Sequence, residues 1–97
     1  MASSTWTEFK EQRRLSPDAS EEYAAARYAF EIGQRVRELR KSCGWSQKEL
    51  ANRAEMSQPA IARFEAGGTT PTITVLDRLA RAFGMTLTID ITPNSAA

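Results

Sequence analysis

The chain has 97 residues, 41% hydrophobic and 26% charged, a balance that suits one small globular domain. It has no histidine and a single cysteine, Cys43, which excludes histidine acid–base catalysis, histidine-bearing zinc sites and an internal disulfide. Net charge is only +1, and no phosphate loop, nucleophile elbow, dinucleotide-binding glycine run or membrane-length apolar run is present.

The opening MASSTWTEFKEQRR lacks the apolar core of a signal peptide, so with its lone cysteine the chain is expected to be cytoplasmic. Thr5 caps a first predicted helix running to about Leu15, with Glu8 at the capping-box position. Trp6 and Phe9 share a face of it. Ser16-Pro17-Asp18 breaks it. Ser20 reads as the next N-cap, with Glu21 and Glu22 in the first turn, where the helix dipole favours acids. A long helix follows to about Ser42. Tyr23, Ala26 and Phe30 mark one stripe of it; Ile32, Val36, Leu39 and Cys43 mark another. Such length suggests that its first half projects, and Gly44 ends it.

Trp45 then turns inward. Ser46 caps a helix to about Ala54, with Glu49 at the capping-box position and Leu50, Ala51 and Ala54 toward the core. Glu55-Met56 makes a tight connection. Ser57 caps the next helix, which tolerates Pro59 in its first turn, carries Ile61 and Phe64 inward and stops at Ala66-Gly67-Gly68. Thr72 caps another, in which Ile73, Leu76, Leu79, Ala80 and Phe83 keep a 3.6-residue period up to Gly84. Residues 85–92 alternate apolar and polar, the pattern of a half-buried strand.

That strand has no partner in the sequence, and a single strand leaves a row of unpaired backbone groups. Antiparallel pairing across a twofold axis supplies one, giving a homodimer with Leu87, Ile89 and Ile91 packed at its interface. The alternative is a frayed tail. Charge is unevenly spread: residues 1–32 carry six acids and four bases, residues 33–97 nine bases and six acids. On charge alone the basic stretch Arg35, Arg37, Arg40, Lys41 is a solvated face.

The functional reading rests on Ser46-Gln47-Lys48-Glu49-Leu50-Ala51 and Ser57-Gln58-Pro59-Ala60-Ile61-Ala62-Arg63-Phe64-Glu65. Two capped short helices with a short join form the geometry that presents a second helix to the DNA major groove. With the following L-x-R-L-A-x-A-F-G, residues 33–84 resemble the Cro/C1-type, or Xre, helix-turn-helix family.

The resemblance implies a role for each matching position. Gln47 holds a phosphate and braces the recognition helix. Gln58 reads a base edge, since a carboxamide can bond adenine at two points. Pro59 and Ala60 offer apolar surface to a thymine methyl. Arg63 grips guanine or a phosphate. Ser57, Gly68 and Thr69 approach phosphates, with Arg35 and Arg53 as further phosphate candidates. Arg40 and Glu65 match a family ion pair that is structural.

The fold implied is mainly α: a five-helix Xre-type helix-turn-helix domain (33–84), an N-terminal helical extension (1–32) and a C-terminal segment (85–97) of one β-strand, which pairs across a dimer, and a tail. The aromatics Trp6, Phe9, Tyr23, Tyr28 and Phe30 are too many for a linker and suggest a protein partner; packing back onto the domain is the alternative. W-x-E-F-K, the long helix into I-G-Q-R-V-R-E-L-R and the final strand are similar to HigA-type antitoxins of bacterial type II toxin–antitoxin modules. That likeness implies two macromolecular partners. One is double-stranded DNA at a palindromic operator of the module's own operon, which the protein represses from the bacterial nucleoid. The other is a cognate RelE/HigB-like mRNA-endonuclease toxin. No cofactor, metal, membrane or small-molecule substrate is expected. A stand-alone Xre-family repressor and a protein-interaction adaptor are the other readings.

Overall fold

The computed structural model describes residues 17–94. Four α-helices form there: α1 (Pro17–Ser42), α2 (Gln47–Ala54), α3 (Gln58–Glu65) and α4 (Ile73–Ala82). The helix expected over Thr5–Leu15, with Trp6 and Phe9, lies outside the described residues, so the described count is four helices and not five.

α1 begins at Pro17, not after a Ser20 cap. Proline suits the first helical position because its φ is preset and its missing N–H would be an orphan there anyway. The helix then runs unbroken past residue 33, joining the expected extension to the expected domain. Gly33 is why it can do so while packing. A Cβ on Gly33 would sit 2.4 Å from the Phe64 carbonyl oxygen and 2.8 Å from that of Glu65. Gly67, at φ +80°, makes a second close approach, since a Cβ there would lie 2.9 Å from the Phe30 Cα. Two glycines thus let the middle of α1 rest directly on the backbone at the end of α3.

The core is small and apolar: Val36, Leu50, Ala51, Ala54, Ile61, Phe64 and Leu79, with Ile32, Trp45, Met56, Val75, Leu76 and Phe83 packed around it. Ala51 and Ala54 let α2 and α3 cross closely. Ile73 departs from the expected periodicity: it is 65% exposed, because the first turn of α4 overhangs the core. Cys43, expected on the apolar stripe of α1, is exposed, and Leu39 is half-buried.

Ser46, Ser57 and Thr72 cap α2, α3 and α4 through their hydroxyls, which accept from Glu49 N, Ala60 N and Val75 N at 3.0, 3.2 and 3.2 Å. The Glu49 carboxylate accepts from Arg53 Nε at 2.7 Å, one turn along α2, in place of the expected capping-box bond. Glu55 turns the chain between α2 and α3 in the left-handed region, φ 57°, and Met56 N donates to the Ala51 carbonyl at 2.8 Å.

Residues 85–94 carry neither helix nor strand in the single chain. A lone strand has nothing to form a ladder with. Residues 85–89 instead border an apolar groove of about 530 Å³ with Ile32, Val36, Leu39, Leu76 and Phe83. Of the three residues expected at an interface, Leu87 is half-buried, whereas Ile89 and Ile91 are 61% and 93% exposed. Among the described residues no helix is long and apolar enough to cross a membrane.

Candidate nucleic-acid interface

α3 buries Ile61, Phe64 and Glu65. At 100° per residue these three define one side of the helix; Pro59, Arg63 and Ala66 fall on the opposite, exposed side, and Gln58 is exposed as the first helical residue. Ala60 and Ala62 are half-buried. Arg63 and Gln58 make no side-chain hydrogen bond or ion pair with the described residues. A short, rigid helix with a polar face of this kind is free to meet the edges of base pairs.

What holds α3 in place is a buried bracket. Arg40 Nε donates to Glu65 Oε2 at 2.7 Å, and Arg40 Nη2 donates to Glu65 Oε1 at 3.0 Å. The pair is bidentate and only 9% and 4% exposed. Arg40 Nη1 donates to the Trp45 carbonyl at 2.8 Å, fixing the turn between α1 and α2. Gln47 Nε2 donates to Glu65 Oε1 at 3.2 Å from the first residue of α2. One carboxylate therefore ties three helices together. Its hydrogen bond raises the Arg40 pKa, against the lowering effect of burial and with added charge attraction, so the guanidinium stays charged at any working pH. Among the described residues, no buried side-chain nitrogen or oxygen is left without a partner.

The other expected phosphate contacts divide. The Ser57 hydroxyl caps α3, and Thr69 lies exposed in the following loop. Gly68 N–H donates to the Arg63 carbonyl at 2.9 Å, which fixes the start of that loop. Arg35 pairs with Glu38 at 3.8 Å, both exposed, and borders the C-terminal groove. Arg53 bonds Glu49 and stacks over Trp45 at 4.2 Å from the ring centroid. Trp45 in turn stacks on Phe83 with centroids 5.4 Å apart. Arg53 is thus the outer member of a stack with Trp45, just before α2, and Phe83, just after α4.

Two residues escaped the sequence reading. Gln34 and Arg37 line a cleft of about 220 Å³ with Arg40, Gln47, Ala62, Glu65 and Ala66. Helical spacing would have found them, because residues 34, 37 and 40 repeat every three positions and share a face that excludes Arg35. Among the described residues, no three His, Cys, Asp or Glu side chains gather to hold a metal ion.

A family pattern for helix-turn-helix domains matches residues 36–89, more than half of the chain. The chain belongs to the helix-turn-helix family, in its Xre, or Cro/C1, branch. This helix-turn-helix protein is similar to an uncharacterized HTH-type transcriptional regulator of Haemophilus influenzae, 35% identical over 89 residues that cover 89% of this chain and 84% of that protein. It is 37% identical over 58 residues to the HTH-type transcriptional regulator DdrOP3 of Deinococcus deserti, covering 60% of this chain and 45% of that one. The crystal structure of the restriction-modification controller protein C.AhdI from Aeromonas hydrophila superposes with a TM-score of 0.57 at 30% identity, over 59% of this chain and 86% of that one. The chain spans about half the length of the first curated relatives it matches.

Proposed function

We propose that this protein is a sequence-specific DNA-binding transcriptional repressor that reads a palindromic operator as a dimer. The observation that carries the reading is the contrast on α3. Glu65 is locked to Arg40 and Gln47, while Gln58, at the N-terminus of the helix, and Arg63, on the side away from Glu65, stand unpaired among the described residues. A helix held this firmly loses little entropy when it enters a groove. Gln58, Pro59, Ala60 and Arg63 read bases; Gln47, Ser57 and Thr69 meet the backbone. Exposed Ile89 and Ile91 beside the apolar groove support a dimer built by pairing two C-terminal segments. Its two recognition helices would enter successive major grooves about 34 Å apart.

The test is selection of duplexes from a random library by the full chain, followed by a salt titration of the winning duplex. A palindromic consensus bound with steep salt dependence supports the reading. Failure to select any duplex at low salt refutes it.

A second reading adds a protein partner. Tyr23, Tyr28 and Phe30 are 73%, 55% and 52% exposed on the first half of α1, and aromatics anchor protein interfaces. This favours an antitoxin of a type II module that also neutralises a RelE/HigB-like toxin through that segment. Co-expression with the product of the adjacent gene decides it. A complex lost on Tyr23→Ala supports the antitoxin; no complex leaves the repressor alone.

A further inference from the structure

We propose that the cleft between α1, α2 and α3 seats one backbone phosphate of bound DNA, with Arg37 supplying the charge. The inference rests on the DNA-binding reading and deepens it.

Arg27, Arg35, Arg40, Arg53 and Arg81 each pair with an acid: Glu31, Glu38, Glu65, Glu49 and Asp77. Arg37 makes no ion pair or hydrogen bond with the described residues, and its side chain is exposed at the cleft. Glu65, the acid that lines the cleft, is neutralised by Arg40. The cleft therefore keeps the net positive charge of Arg37, which suits one phosphate.

Polar groups of the right kind surround that charge. Gln47 spends one amide N–H on Glu65 and keeps a second. The Gln34 amide lies on the same wall. Space is available because the α3 side is lined by Ala62 and Ala66, whose methyl groups leave about 220 Å³ open. Placement follows from α3 itself. Ala62 and Ala66 border the exposed side that carries Pro59 and Arg63, so a DNA strand flanking an inserted α3 passes over the cleft mouth. The same duplex would not reach Arg35, which borders the C-terminal groove.

The experiment uses the full chain and two duplexes, the one selected by the wild-type protein and a shuffled version. Arg37→Gln, Arg37→Lys and Arg78→Ala are compared; Arg78 is an exposed arginine on α4 that controls for loss of charge. Arg37→Gln should weaken both duplexes by about tenfold at 0.1 M salt and flatten the log–log salt slope by about 1. Arg37→Lys should restore the slope. If Arg37→Gln matches Arg78→Ala in affinity and slope while the wild type binds, the phosphate seat is wrong and the DNA reading stands. If Arg37→Gln weakens only the selected duplex, Arg37 reads a base and the proposal is overturned. If the wild type selects no duplex, both fall.

Discussion

The two halves of α1 share a helix and little else. From Ala29 onward it is committed: Ala29, Gly33, Val36 and Arg40 are buried, and Gly33 touches the α3 backbone. Before Ala29 local terms support it. The stretch EEYAAARY is rich in alanine, the best helix former, and Arg27 pairs with Glu31 at 3.9 Å. An exposed pair of that kind contributes only about 0.3–0.5 kcal/mol. One half is thus fixed by what it packs against, and the other presents aromatic surface that stands exposed beside the described residues. Both halves look equally helical in sequence, so helical periodicity alone does not say which half the rest of the molecule depends on.

Three substitutions separate the two halves of the helix. The largest effect is expected at Arg40, because Arg40→Ala strands Glu65 in the core. Urea unfolding should show a loss of about 3–5 kcal/mol. A loss near zero would mean that the bracket does not brace α3. Gly33→Ala comes next. Its methyl would collide with two carbonyl oxygens, so α1 and α3 must separate, at a cost of about 1–3 kcal/mol in the same assay. In the first half, Tyr23→Ala should change stability by less than about 0.5 kcal/mol, since the side chain is 73% exposed. A loss comparable to that of Gly33→Ala would show that this half packs after all, and would remove the argument for a partner there.

Much of this was legible beforehand. The caps Ser46, Ser57 and Thr72, the ends at Gly44 and Gly84 and the Arg40–Glu65 pair all follow from side-chain chemistry close to the backbone or from a strong motif. What escaped depends on three-dimensional neighbours. Gly33 looked like a place for a boundary and is a contact point. Arg35 and Arg37 differ by two positions, hence by 200° around the helix, and only packing tells which faces the bracket. Arg53 reads in the sequence as a phosphate candidate, and neither its bond to Glu49 nor its stacking on Trp45 is visible there. The strand pattern of residues 85–92 is sound as a pattern, yet a single copy provides no partner to pair with.

In the proposed function, the exposed surface of α3 reads DNA sequence. It is tested most directly by measuring wild type, Gln58→Ala and Arg63→Ala against the selected duplex and a panel of single-base variants of it. Each substitution should erase about 1–3 kcal/mol of discrimination at particular base pairs while leaving the unfolding midpoint unchanged. Full discrimination retained by both variants would contradict the account, because the bases would then be read by some other surface.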